Sequence, residues 1–285
     1  MAREIRIAFI TDLHGIKTVF KKAIQKVRSI EPDFLIIGGD LLGRPLLLDK
    51  VGDSYYFKGE EVDPTELLGL SGEMGFYIGV KGRDDELELL KREGEKQLNE
   101  WLEESKGLNC YWSVGHSDPP FVEDFFTQRG MTPQGNVIMT SNYVSGMTLV
   151  SLGLTNNFTP ENGKNYREAP DYLIYNKGKE LLEKAEPPVV INFHVPPLDT
   201  NLDKFNKRHV GSKAVRDLLR EFKPVLSLHG HVHGSAAVDV VEGVTAVNAS
   251  PSEDMKFKLA LITISREVKG IVPIFKVNDV KFLKI

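Results

Sequence analysis

The sequence predicts a layered α/β domain built on two sheets. Strand-like apolar runs alternate with helical repeats through most of the chain. The stretch from 236 to 285 then reads as three or four antiparallel strands. Short clusters of Asp, His and Gly follow several of the apolar runs, where a strand would hand over to a loop.

Each element has its own warrant. Ile5–Ile10 alternates and ends at Thr11-Asp12, which predicts a buried strand. Val19, Ala23, Ile24, Val27 and Ile30 recur at helical spacing, and Pro32 closes that helix. Phe34–Ile37 predicts a second strand ending at Gly38-Gly39-Asp40. Open α/β sheets present a site in this way, with acids at the carboxyl ends of adjacent strands. About seventy residues separate Asp40 from Gly115, more than a simple crossover needs. Within them, Ser54–Lys58 and the stretch near Glu61 suggest a hairpin around Gly59. Asp85 to about Ser105 predicts a charged amphipathic helix with Leu87, Leu90, Leu98, Trp101 and Leu102 as its apolar stripe. Residues 44–106 therefore read as a hairpin-plus-helix subdomain inserted into a single domain of residues 1–285. The charged helix reads as a solvated face that could also roof a site or pair two subunits, so a homo-oligomer is open.

Pro119-Pro120 starts a helix to about Arg129, and 136–154 is strand-rich, with Tyr143–Leu154 mostly apolar or β-branched. Asn156 to Arg167 is loop-like, and Tyr172–Ala185 is helical. Val189–Phe193 is a fully apolar strand delivering His194. Ser212–Phe222 predicts a helix with Ser212 as N-cap, and Val225–Leu228 a strand delivering Gly230-His231-Val232-His233.

Composition narrows the function classes. A net charge of -4, with no Lys/Arg block, disfavours a dedicated nucleic-acid binder. One cysteine, Cys110, excludes an intrachain disulfide and fits a reducing compartment. With no signal-peptide pattern and no apolar run long enough to span a bilayer, the expectation is a cytoplasmic protein with no membrane partner.

Five of the seven histidines lie in the strand-end clusters: His14, His116, His194, His231 and His233. Asp12 and His14 share strand parity, as do His231 and His233, so each pair could face one side. Asp40 could bridge two cations with its two oxygens. Nitrogen and oxygen donors suit divalent metals such as Mn, Fe or Zn. Two such cations, about 3.5–4 Å apart, clamp a phosphoryl group and generate a hydroxide nucleophile. The expected reaction is hydrolysis of a small phosphate ester. His229 reads instead as a buried strand histidine.

These clusters resemble the calcineurin-like metallophosphoesterases, whose pattern runs D-x-H, G-D, G-N-H-D/E, a lone His, then G-H-x-H. Here the blocks are Asp12/His14, Gly39/Asp40, Gly115–Asp118, His194 and Gly230–His233. The resemblance covers nearly the whole chain. It implies a four-layer α/β/β/α sandwich with a dimetal site above the sheet edges. It further implies one metal on Asp12, His14, Asp40 and His233, and a second on Asp40, His116, His194 and His231, with a metal-bridging hydroxide as nucleophile. The third block departs from the pattern: the family's metal-binding Asn is His116, and the following His is Ser117. Serine is a poor acid, so His209, before the helix opened by Ser212, stands as the replacement, with Asp118 as a second candidate catalytic residue. Arg44, Ser212 and Ser117 are candidate substrate contacts, Arg44 by its offset of four from Asp40 and Ser212 by its helix N-terminus. Asn156 and Asn157 could also meet substrate. Gly39–Arg44, His194–Pro197 and His209–Arg216 are most like a prokaryotic, largely archaeal branch of the family. Phosphodiesters or nucleotide-type esters are expected. The rivals are a non-catalytic metal-binding scaffold on the same fold and a nuclease.

Overall fold

Strand β1 (Arg3–Ile10) divides its side chains between two cores. Ile5, Ile7 and Phe9 enter one, and Ala8 and Ile10 the other. This is the period of two that an alternating strand imposes. The computed structural model describes residues 3–141, 144–156, 166–269 and 272–285. Tyr143 and Asn157, both named above, lie outside them.

Helix α1 (Lys17–Ile30) carries the chain to β2 (Phe34–Ile37), parallel to β1. Residues 44–106 follow as β3 (Arg44–Val51), β4 (Ser54–Phe57), β5 (Glu60–Val62), α2 (Pro64–Met74), β6 (Phe76–Val80) and α3 (Glu86–Glu104). Then come β7 (Cys110–Trp112), α4 (Pro120–Thr127), and the hairpin of β8 (Gly135–Ser141) and β9 (Val144–Leu152). Helix α5 (Asp171–Glu183), β10 (Val189–Phe193), a short hairpin of β11 (Lys204–Phe205) and β12 (Arg208–His209), α6 (Lys213–Phe222) and β13 (Leu226–His229) complete the alternating part. The last strands are β14 (Ala237–Val241), β15 (Val244–Asn248), β16 (Lys258–Lys269) and β17 (Val272–Lys284).

Two sheets result, ordered β17-β16-β1-β2-β7 and β14-β15-β13-β10-β9-β8. They face each other through Ile5, Ile7, Phe34 and Ile36 on one side and Leu149, Val190, Leu226 and Val247 on the other. Helices α1, α3 and α4 cover the outer face of the first sheet, and α5 and α6 that of the second. This is the four-layer α/β/β/α order. Ile10 lies opposite Ile37, and Ile37 opposite Trp112, so β1, β2 and β7 release the chain along one edge. Strands β9, β10 and β13 are also parallel.

The expected hairpin around Gly59 is β4 paired with β5, and it is part of a four-stranded sheet, β5-β4-β3-β6. Helix α3 begins at Asp85, whose carboxylate accepts from the Leu87 and Glu88 N–H groups. It is not simply a solvated face. Leu89, Leu90, Leu98 and Trp101 enter the same core as α1, and Trp101 stacks on Phe20 at 4.3 Å. Leu87, assigned to the apolar stripe, is 50% exposed in the first turn. The four C-terminal strands are shared between the sheets: β14 and β15 close the second, β16 and β17 the first, and β15 runs parallel to β13. Among the described residues, no helix is long and apolar enough to cross a membrane.

Candidate metal centre

The predicted ligands gather just beyond the strand ends, held there by the backbone. Strand β1 stops at Ile10, and Asp12 (φ 56°) and His14 (φ 44°) both take left-handed backbone conformations. Asp40 (φ 51°) and His231 (φ 67°) do the same after β2 and β13. The pairs are therefore aligned by tight turns, not by strand parity as the spacing suggested. Left-handed backbone is unfavourable for side chains other than glycine, and such strain collects at functional sites. Backbone bonds hold the turns together: Asp12 N donates to Gly39 O (3.0 Å) and His14 N to Asp40 O (2.8 Å). Two motif glycines make room. A Cβ on Gly115 would stand 2.3 Å from Asp40 Oδ1, and one on Gly230 would stand 2.5 Å from Asp12 Oδ2.

Seven predicted ligands come together. His14 Nε2 and His233 Nε2 are 3.2 Å apart, and His233 Nε2 is 3.6 Å from Asp12 Oδ1. His194 Nε2 lies 3.2 Å from Asp40 Oδ1 and 3.8 Å from Asp12 Oδ1. Asp12, His14 and His233 form one group able to hold a cation, and Asp12, Asp40 and His194 a second. Asp12 is common to both, whereas the resemblance gave that role to Asp40. Asp40 still approaches the first group, with Oδ2 3.8 Å from His14 Nε2. His231 lies between the rings of His116 (centroids 4.7 Å) and His194 (5.6 Å). His116 Nε2 is 3.4 Å from Glu168 Oε1. Its Nδ1 is bonded to Cγ, as Oδ1 is in asparagine, so this histidine can offer a donor atom where the family's Asn does.

Burial and charge set the protonation. Burial alone would raise the Asp12 carboxyl, but the His233 hydrogen bond and the His194 charge hold it well below the usual range. For Asp40 burial is likewise outweighed, chiefly by His194. Burial would lower His194, yet the Asp40 and Asp12 carboxylates lift it to about 9. Burial lowers His14 to about 4 and carries His231 well below its ordinary value. The ring orientation of His194 is fixed as well. Its Nδ1 is 3.2 Å from Gly38 O, which can only accept, so Nδ1 keeps a proton and Nε2 faces the carboxylates.

Other predicted residues hold the scaffold. Asp118 is fully buried and accepts from the N–H groups of Leu41, Leu42 and Gly115. Both its oxygens are thus engaged by backbone, and it ties the two ligand loops together instead of facing substrate. Burial and the nearby Asp40 charge push it up to about 7, against those donors. Ser117 contributes its N–H to Asp40 Oδ1 (2.8 Å), while its hydroxyl is buried without a partner among the described residues. Ser212 is buried, donates to Asp171 and caps α6 through Val215 N, so it is not available to substrate. His209 Nδ1 bonds Asp203 Oδ1 (2.7 Å) in the β11–β12 hairpin, and among the described residues no hydrogen bond, ion pair or ring contact joins it to the centre. The Asp203 carboxylate also accepts from the Asp199, Thr200 and Gly211 N–H groups, which makes this a loop anchor. Asn156 is likewise turned away, donating to Val210 O and Gly211 O. His229 is a core histidine, with Nδ1 donating to the Phe193 and Val195 carbonyls. Arg44 remains exposed beside the centre and shares a cavity with His14 and His233.

Sequence reasoning missed three residues. Ser250 donates to Asp12 Oδ2 (3.0 Å), Glu168 pairs with His116, and buried Arg167 links Asp118 O to Glu123. None lies in a motif; only the turn-rich composition around Glu168 hinted at a loop near the site.

The residues fit a divalent-metal centre. The set is all nitrogen and oxygen, and His231 Nε2 is buried with no hydrogen-bond partner among the described residues. The fold has solved counterparts. A protein of Thermus thermophilus matches with a TM-score of 0.55 and 14% identity, covering 90% of this chain and 94% of that one. A dimetal phosphatase from Danio rerio matches with a TM-score of 0.51 and 10% identity, covering 96% and 98%. At these identities the likeness speaks for the fold alone. No curated protein matches the chain in sequence. The model of the calcineurin-like phosphoesterase family matches residues 5–235, a span that holds all the clustered histidines and aspartates. By that match, on a four-layer fold that gathers these histidines and aspartates, the chain belongs to the calcineurin-like phosphoesterases.

Proposed function

We propose that the protein is a dinuclear metal-dependent hydrolase of phosphodiesters or nucleotide-type phosphate esters, loaded with Mn²⁺, Fe²⁺ or Zn²⁺. The observation carrying this reading is the two ligand groups that share Asp12, beside the unpartnered His231 Nε2. Asp12, His14 and His233 would hold one cation, with Asp40 at its edge. Asp40, Asp12, His194, His231 and His116 would supply the second. When bound, the cations supply Lewis acidity toward phosphoryl oxygens and acidify water for attack. The protein fixes the donors: Gly38 O orients His194, Glu168 faces His116, and Ser250 and the His231 N–H hold Asp12. Ser117 is a poor proton donor, which favours esters with good leaving groups.

The test is hydrolysis of bis-p-nitrophenyl phosphate by metal-stripped protein, before and after Mn²⁺ is added. Turnover that requires Mn²⁺ supports the reading. Turnover undiminished in chelator contradicts it.

The protonation of His194 adds a prediction. In the metal-free protein its pKa of about 9 keeps it charged at pH 7, whereas a ligand must be neutral. Mn²⁺ binding therefore releases protons, from His194 and from His233, which burial would lower but the Asp12 hydrogen bond raises, and affinity should rise with pH from 7 toward 9. His14, already neutral above about pH 4, adds nothing in that window. Calorimetric titrations in buffers of different ionisation enthalpy count the protons. A binding enthalpy independent of buffer would refute the assignment.

A further inference from the structure

One side of the centre is open. The His14 and His233 side chains are 14% and 27% exposed, whereas those of Asp12 and His194 are closed off. These two imidazoles line a cavity of about 500 Å³. Its other walls are Ile16, Phe76 and Met74, with Met255 from the connection before β16, and Arg44 and Glu73 add the charges. A cavity of this size suits a small molecule rather than a polymer. A larger one, of about 690 Å³ between α5 and α6, contains none of the centre's ligands.

We infer that this cavity receives a flat aromatic group of the substrate, with the attached phosphate turned toward His14 and His233. The inference rests on the phosphoesterase reading above and names its substrate class: phosphate esters bearing an aryl or heteroaromatic ring. Three features select a ring over a plain alkyl or sugar group. Met74 and Met255 come from different segments, are 52% and 37% exposed, and place flexible thioethers where they can close on a ring. Phe76 adds an aromatic ring to the same lining. Arg44 can pair with phosphate oxygens while its guanidinium plane packs on a ring. Residues 44–106 thus contribute Arg44, Glu73, Met74, Gly75 and Phe76 to the lining, so they select the substrate and supply none of the predicted metal ligands.

The test uses the full-length Mn²⁺-loaded protein and two non-hydrolysable ligands, phenylphosphonate and methylphosphonate, which share the anion and differ in the ring. Calorimetry should find phenylphosphonate bound tighter by about tenfold or more, the range expected from burying a phenyl group. Phe76→Ala should bring that ratio toward one with methylphosphonate affinity unchanged. Met255→Ala, at an exposed position where the fold is not at stake, should lower it part of the way. Equal affinities in the unmodified protein, or a ratio that neither substitution moves, overturn the inference while leaving the hydrolase reading standing. Failure of both phosphonates to bind, together with no Mn²⁺-dependent turnover of bis-p-nitrophenyl phosphate, overturns both.

Discussion

Replacing His231 by alanine should lower Mn²⁺-dependent turnover of bis-p-nitrophenyl phosphate by more than about 100-fold, because the loss of residues that merely orient metal ligands already costs about 10–100-fold. The fold should survive. His231 Nε2 has no hydrogen-bond partner among the described residues, so the substitution breaks no internal bond at that atom. Its backbone N–H, which holds Asp12 at 3.0 Å, is retained. The metal-stripped mutant should therefore melt close to the metal-stripped parent, and metal analysis should show reduced occupancy. A mutant that keeps both its metal and its turnover would remove His231 from the centre.

Asp118→Ala should do the opposite, damaging the fold first. The Leu41, Leu42 and Gly115 N–H groups would lose their acceptor in a buried setting. An unsatisfied buried donor costs about 1–3 kcal/mol, so the total is on the order of 3 kcal/mol or more. Urea denaturation of metal-stripped protein should show a lowered midpoint with an unchanged slope. Asp118→Asn should fall between, since its carbonyl still serves Leu41 and Leu42 while its amide N–H₂ opposes Gly115 N–H. Because the same carboxylate joins the Asp40 and His116 loops, metal affinity should weaken along with stability. An Asp118→Ala protein as stable as its parent would show that these contacts carry no net stabilisation.

What could be read from the sequence followed from how each element buries its side chains. β1 was legible because its alternate residues enter separate cores, and α6 because Ala214, Val215, Leu218 and Leu219 share one buried face behind the Ser212 cap. Helix α2 was overlooked because none of its residues is buried, so it has no stripe to find. Its Asp63 cap and Pro64 were the available signals. The candidate ligands could be picked out because their chemistry is carried by residue type. Their alignment was not, since nothing in Asp-x-His announces two left-handed residues in place of strand parity. The Ser212 cap was legible, but its bond to Asp171 and the bond of His209 to Asp203 were not, because those partners are distant in sequence or carry no motif.

The left-handed backbone at Asp12, His14, Asp40 and His231 bears on the scaffold alternative. Left-handed conformation costs roughly 1–2 kcal/mol at each residue with a side chain, and glycine avoids most of it. A lineage released from metal chemistry could relieve that burden by single substitutions, each stabilising the chain. Stability and activity pull these four positions in opposite directions. Eight other described residues with side chains, Lys58, Lys223 and Met255 among them, are left-handed away from these turns, so the chain bears the same cost where no metal chemistry would hold it in place.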